Sequence, residues 1–432
     1  HFKLFSDPVH GFISVPKAVI LDLVQTPEVQ RLRRIRQLGV GHMVFPGAEH
    51  TRFNHALGAM ALMHDALTSL ATKGTPISPE EHTAALAAAL LHDVGHGAYS
   101  HTLEHELIRD FHHEAMSRVL VDHVNDRLGG VLDRALAIFD DTYERPFFHQ
   151  LVASQLDMDR LDYLRRDSFY TGVAEGKVGV QRIIKTLRVH PTEGGPNSEL
   201  TVEAKGIYAV ENFLLARRLM YWQVYLHKTV LAGDHLLHAI LKRVRDHLRS
   251  ASPPTAVTER GSPDLRFFLE RTVDADAIAT PEVRDRYSRI DDTDVLFSLK
   301  QWMHADDPIL ADLCRRFVNR DFFRVTFLDA PPDDDQVQQW KQAVADWLVN
   351  TGQSTPSESL HDADSYLFVD VSRHTAYETG RPRIGILDRD GSVREFSDMT
   401  DTPIAGLTGF VVKPYVCAPK PVVLDLDTPP VP

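Results

Sequence analysis

Apolar residues recur along most of this chain at helical spacing, and the spacing changes only near its two ends. Residues 2–16 (FKLFSDPVHGFISVP) read as two short extended pieces around a turn at Asp7-Pro8 and Gly11. Pro27 then opens a helix with apolar positions at Val29, Leu32, Ile35 and Leu38, stopped by Gly39 and Gly41. The same spacing predicts helices over Phe53–Ala71, Pro79–His92, Glu114–Arg127, Phe147–Asp167, Val178–Leu187 and Ile207–Arg249. Pro79–His92 is rich in Ala and Leu all round, which marks a buried helix. Arg249–Pro263 reads as a loop, and helical spacing resumes from about Asp264 to Asn319. Beyond it, strand-like runs at Phe323–Asp329, Tyr366–Val371, Arg383–Leu387, Val393–Phe396 and Phe410–Val416 surround one helix over Asp335–Val349. Arg389-Asp390-Gly391 reads as a hairpin turn, and the Pro-rich tail Leu424–Pro432 as frayed. The expected fold class is therefore mainly α, with a helical domain over 1–320 and a smaller α+β lobe over 321–432.

Composition narrows the function. The 432 residues are 43% hydrophobic and 25% charged, ordinary for a folded protein. The longest apolar run, Ala84–Leu91, is far too short to span a bilayer. The first residues show no basic stretch followed by an apolar one, and only two cysteines occur, Cys314 and Cys417. A reducing, cytoplasmic location without membrane contact is the expectation. A formal charge of −13 makes nucleic acid a poor partner, because such binding rests on neutralising phosphates. An acidic protein that acts on a phosphate ester must gather positive charge locally, through a metal or clustered arginines. Of 23 histidines, 13 fall within the first 113 residues, which points to a metal or acid–base site there.

The central motif is AALLHDVGHG, residues 88–97. His92 and Asp93 end the buried helix, and Gly95 and Gly97 let the backbone turn at once, so both side chains can bend toward one ion. His64-Asp65 is the same dipeptide in mid-helix with no turn behind it, and reads as ordinary structure. Three further segments give His92-Asp93 its context. Arg52-Phe53-Asn54-His55 starts a helix 37 residues before His92, and Asp159 lies in DMDRLDY, 66 residues after Asp93. His96, His101 and His112-His113-Glu114 come between. Taken singly, each has a plainer alternative: His55 as a packed helix residue, and Asp157, Asp159 and Asp162 as a solvated face paired with Arg160, Arg165 and Arg166.

In this order, RFNHALG, HDVGHGAYSH, FHHE and LDMDRLDYLRRD resemble the HD-superfamily deoxynucleoside triphosphate triphosphohydrolases. The likeness runs from about Phe5 to Thr229, extended by FSDPVHGFI, TPEVQRLRRIRQLG and VFPGAEHTRFNH; the C-terminal lobe carries no matching motif. The resemblance implies an HD-domain helical core that hydrolyses deoxynucleoside triphosphates to deoxynucleoside and triphosphate. It implies His55, His92, Asp93 and Asp159 as ligands of one divalent metal (Mn, Fe, Zn, Ni or Mg), with additional Mg carried on the nucleotide. His96 and His101 would face the α-phosphate, His113 would be the acid, and Glu104 and Glu114 would orient it or a water. Arg52 and Arg217 would hold phosphates, with Arg160 where the family usually has lysine. Tyr163 and Asp167 would read the sugar 3′-hydroxyl, and Gln37 and Leu38 would press on the sugar. Tyr225, His227 and Lys228 match a segment that touches the nucleotide or a neighbouring allosteric site. A dimer or tetramer of identical chains is also implied. Vertebrate members read an activating guanine with an aspartate and an arginine; Arg33 keeps the arginine, but Gln25 replaces the aspartate, which argues against guanine-specific activation. Because a fold does not fix a substrate, an HD phosphohydrolase or phosphodiesterase for another nucleotide, or a non-catalytic nucleotide-binding regulator, stays open.

Overall fold

Strands β1 (Phe2–Asp7) and β2 (Gly11–Pro16) form an antiparallel hairpin, paired from Phe2 with Pro16 to Asp7 with Gly11. Its turn is set by Asp7, whose Oδ1 accepts the backbone N–H groups of Val9 and His10. The computed structural model describes residues 2–191, 198–251, 257, 259–377, 383–398 and 409–426. Part of the predicted 249–263 loop, and residues 427–432 of the tail, lie outside these.

The chain is mainly helical. After α1 (Val19–Gln25) and α2 (Pro27–Gln30), a 3₁₀ turn over Arg31–Arg34 ends the helical run. The helix expected to reach Leu38 stops there because Ile35 is extended. Its carbonyl turns to α3 instead, accepting from Arg52 N. The middle of the molecule is built on α3 (Arg52–Thr72) and α4 (Pro79–Leu91), both closed at their N-termini by capping boxes, Thr51 with Asn54 and Ser78 with Glu81. Every residue from Ala84 to Leu91 is buried, as the all-round apolar pattern required. Short α5 (Glu104–Leu107) precedes α6 (His113–Arg127) and α7 (Asp133–Phe139).

The single helix expected over Phe147–Asp167 is two, α8 (Phe147–Val152) and α9 (Met158–Thr171). Asp157 divides them: its carboxylate accepts from Arg160 N and Ser154 N, so it caps α9 instead of continuing α8. Gly58 lets α3 and α9 touch, for a Cβ there would lie 2.0 Å from Asp162 Oδ1 and 2.4 Å from Arg166 Nη2.

Helix α10 (Val180–Thr186) is shorter than expected and gives way to an unforeseen hairpin, β3 (Leu187–Pro191) with β4 (Ser198–Glu203). The long helix expected over Ile207–Arg249 is also interrupted. α11 (Ile207–Met220) widens into a π-turn at Tyr221–Tyr225 before α12 (Lys228–Leu248) begins. More helices follow over Pro263–Glu270, Pro281–Arg289, Asp292–Trp302, Pro308–Val318 and Asp334–Asn350. Strands β5 (Arg324–Phe327), β6 (Phe368–His374) and β9 (Val411–Ala418) form one sheet in the order β5-β9-β6. β7 (Gly385–Leu387) and β8 (Val393–Glu395) instead join the earlier hairpin, in the order β3-β4-β7-β8. The expected turn between these two holds, with Gly391 at φ +88. One hydrophobic core runs from Ile13 to Cys417. Among the described residues no helix is long and apolar enough to cross a membrane.

Candidate active site

The ends of α3, α4 and α9 meet at one point. His55 lies in the first turn of α3, His92 and Asp93 follow the end of α4, and Asp159 lies in the first turn of α9. His55 Nε2 is 3.0 Å from Asp159 Oδ1 and 3.3 Å from His92 Nε2, and His92 Nε2 is 3.4 Å from both Asp159 Oδ1 and Asp93 Oδ1. The outer ring nitrogens are committed elsewhere. His55 Nδ1 donates to Asp162 Oδ2 (2.8 Å), and His92 Nδ1 donates to the Ala89 carbonyl (2.8 Å). Each neutral ring therefore keeps its Nε2 lone pair for the centre. Two lone pairs 3.3 Å apart, flanked by carboxylates, need an electrophile between them.

The electrostatics agree. Burial opposes charge on His55, but hydrogen bonds and attraction from Asp159 and Asp162 outweigh it and lift the imidazole to about 10. Burial likewise opposes charge on His92, which Asp93 and Asp159 lift to about 9. Asp159 is pushed up by burial and pulled further down by His55 and His92, to well below the usual carboxylate range. These pulls measure a strong demand for positive charge, which a divalent cation would satisfy in place of protons. His55, His92 and Asp159 offer ligand atoms within 4.8 Å of one another, and Asp93 reaches the same point. Two neutral imidazoles and two carboxylates suit Mn, Fe, Zn, Ni or Mg. Bound there, the ion would neutralise phosphate charge and acidify water.

A second group of imidazoles stands beside Asp93. The His96 and His113 ring centroids are 3.6 Å apart, with His101 at 4.9 and 5.1 Å from them. Glu104 sets two of the three rings: it accepts from His101 Nδ1 (3.0 Å), His113 Nδ1 (3.1 Å) and the His113 backbone N–H (2.6 Å). Burial would raise the Glu104 pKa, but these donors hold it well below the ordinary glutamate range. His96 is buried, and burial with nearby Arg52 keeps it well below the usual imidazole range. Between His96 and His101 the chain turns sharply, with Tyr99 (φ +54) and Ser100 (φ +57) both left-handed. That strain, costing about 1–3 kcal/mol per residue, is held by packing and hydrogen bonds around it. Asp292 Oδ1 accepts Tyr99 N, and Ser100 Oγ donates to Arg36 O while accepting from Arg52 Nε.

Comparison with known proteins decides the family. The HD-domain sequence model matches residues 52–164, and that of the HD-associated region matches 178–259. The uncharacterized protein YwfO of Bacillus subtilis is 33% identical over 411 residues, covering 91% of this chain and 87% of its own. A crystal structure of a phosphohydrolase from Bacteroides thetaiotaomicron superposes with a TM-score of 0.88 at 39% identity, covering 97% of this chain and all of the other. The chain belongs to the HD-domain phosphohydrolases. The deoxynucleoside triphosphate triphosphohydrolase SAMHD1 of Danio rerio is 26% identical over 402 residues; the match covers 82% of this chain and 60% of that longer one.

The phosphohydrolase has a cavity of about 750 Å³ in front of both imidazole groups. His92, Asp93, Asp159, His96, His101, His113 and Glu114 line it; His55, which offers Nε2 to the centre, and Glu104, which holds His101 and His113, are not among its lining residues. Arg52, Arg160 and Arg217 supply its cations. Arg52 donates to Asp93 Oδ2 and Ser100 Oγ, Arg160 Nη1 to Asp157 (2.7 Å), and Arg217 Nη1 to the Ala376 carbonyl (2.9 Å). Gln37, Leu38, Tyr163, Asp167 and Tyr225 complete the expected set on its walls. Each Asp167 oxygen accepts one bond, Oδ1 from His50 Nε2 and Oδ2 from Tyr225 Oη, each at 2.7 Å. The structure does not bring His227 and Lys228 to the cavity. His227 Nδ1 accepts from Thr229 N and caps α12, and Lys228 is exposed over the Phe327 ring. His64 of the mid-helix His-Asp pair lies against His82 (3.1 Å) and does not line the cavity.

Asp162 was missed as a site residue. Fully buried, it joins His55 Nδ1, His10 Nε2 (2.6 Å) and Arg166 (2.9 and 3.1 Å), and Arg166 continues to Asp7. The signal was present, since Asp162 follows Asp159 by three residues on one helix. Without the position of His55 it could not be told from a solvated carboxylate. Tyr221, Gln155 and Asp234 also line the cavity and had no signal of their own.

Proposed function

We propose that this HD-domain phosphohydrolase cleaves deoxynucleoside triphosphates to deoxynucleoside and inorganic triphosphate. The observation that carries the reading is a single stripe on α9. Asp159, Tyr163 and Asp167, spaced four residues apart, line one cavity in sequence, so a phosphate at Asp159 puts the sugar beside Tyr163 and Asp167. Burial keeps the Tyr163 and Tyr225 hydroxyls protonated, their pKa values lying well above the ordinary phenol range, so both can hydrogen-bond a sugar hydroxyl or Asp167. Gln37 and Leu38 close the sugar side.

Arg52, Arg160 and Arg217 draw in the polyanion against a net charge of −13. The resident ion is one of Mn, Fe, Zn, Ni or Mg, held by His55, His92, Asp93 and Asp159, with additional Mg on the nucleotide. Water adds to the α-phosphorus and gives up a proton to solvent, the bond to the 5′-oxygen breaks, and His113, acting as the imidazolium, delivers its Nε2 proton to the departing oxygen. Glu104 accepts from His113 Nδ1 and so aims Nε2 at the cavity, Glu114 stands beside that atom, and His96 and His101 face the α-phosphate. The working unit is a dimer or tetramer of this chain.

Ion-exchange chromatography of digests of the four deoxynucleoside triphosphates, with Mn or Mg added, tests the reading. Triphosphate and deoxynucleoside are the expected products. Release of diphosphate or monophosphate, or a preference for a cyclic or monophosphate ester, rejects it.

A further inference from the structure

The imidazole group beside Asp93 has the donor set of a metal site in its own right. His96, His101 and His113 each offer a ring nitrogen, and the three lie within 4.8 Å of one another. Glu104 takes the Nδ1 hydrogens of His101 and His113, which leaves the Nε2 lone pair of each ring for a ligand. A carboxylate behind a histidine is the usual support of a metal-bound imidazole, since it fixes the tautomer and raises the basicity of the far nitrogen. His96 adds an independent sign. It is 2% exposed, it lines the cavity, and its Nε2 has no hydrogen-bond partner among the described residues. A buried polar atom left unpaired costs about 1–3 kcal/mol, so it calls for a partner. Glu114, whose Oε1 is 3.7 Å from His113 Nε2, is placed to add an oxygen. Arg52 opposes a cation there, and Asp93 already pairs with it.

We infer that, in the nucleotide-free protein, His96, His101 and His113, with Glu114 as fourth donor, bind a second divalent cation of the zinc class. Three imidazoles and one carboxylate favour a borderline, four-coordinate ion over the harder Mg. The site is separate from the one built by His55, His92, Asp93 and Asp159, and it does not depend on which nucleotide is cleaved.

Cobalt(II), which reports its geometry through its visible spectrum, is the probe. Equilibrium dialysis of the full chain against cobalt, with metal analysis and absorption spectra, should give two ions per chain, one of them four-coordinate. His101→Ala should lower the count to one and remove the four-coordinate bands; the His101 side chain is 68% exposed, so the change does not threaten folding. Asp159→Asn should remove the other ion and keep those bands. A single ion in the wild type that Asp159→Asn abolishes overturns the second site and leaves the first intact. Two ions retained in His101→Ala overturn it as well.

Discussion

Two imidazole groups stand either side of Asp93, and they are built in opposite ways. His55 and His92 sit at helix ends inside the core, and each Nδ1 is locked, on Asp162 and on the Ala89 carbonyl. The lock on His55 extends outward through Asp162, Arg166 and Asp7 to the β1–β2 turn. His101 and His113 instead sit on a 3₁₀ segment and at the start of α6, share the single carboxylate Glu104, and lie more open, the His101 side chain at 68% exposure. The first group is shaped to stay still around an ion. The second, on the proposed mechanism, is the group that would exchange protons or ligands. One chain can thus place rigid electrostatics and mobile acid–base chemistry within a few ångströms by choosing which carboxylate backs which ring.

Substitutions separate the two groups, and the largest effect belongs to the rigid one. Asp159→Ala should abolish tight binding of the first ion and drop hydrolysis to the detection limit while the circular dichroism stays native; normal turnover would refute the shared centre. His113→Ala should cost about 10²–10⁴-fold in kcat with the first ion still bound, the signature of a lost proton donor. Asp162→Asn touches neither cavity nor ion, yet it should weaken the first ion roughly 10–100-fold by freeing the His55 ring. Dialysis against manganese reads this. Truncation to Ala at the same position would leave buried Arg166 short of a partner, at a cost of about 3–5 kcal/mol in urea unfolding.

Acid probes the Glu104 support. The folded Glu104 has a pKa below its unfolded value of about 4.3, so its contribution to stability is complete above that value and fades as pH falls. Wild type and Glu104→Gln should therefore differ in urea midpoint at pH 7, by a gap that starts to narrow below about pH 4 and closes only when the folded-state carboxylate is itself protonated. The smallest effect is expected at Lys228→Ala, within about 0.5 kcal/mol in stability and with hydrolysis preserved, because that side chain is exposed over the Phe327 ring and does not line the cavity.

The side chains that meet at the candidate centre were legible in sequence because a His-Asp pair at a helix end, followed by glycines, stands apart from ordinary helix. Gly95 shows why: a Cβ there would lie 2.2 Å from Ser117 N. The C-terminal strands were legible through Val and Ile alternation. The breaks were not. The apolar spacing of Phe147–Val152 runs into Leu156 without a gap, and only the capping power of Asp157 marks the division. The π-turn at Tyr221–Tyr225 adds a residue to a helical turn, which periodicity cannot register, and it brings Tyr221 and Tyr225 to the cavity while His227 turns to cap α12. Asp162 acts through a ring distant in sequence, so its role emerges only from contact, whereas Glu104 beside His113 was expected from the family resemblance.

Anomalous diffraction from manganese-loaded crystals tests the shared centre most directly. The expected result is a strong peak bonded to His55 Nε2, His92 Nε2, Asp93 and Asp159, with or without a second peak at His96, His101 and His113. No peak at the first position, or an Asp159 side chain turned away with no ion beside His55 and His92, would contradict it.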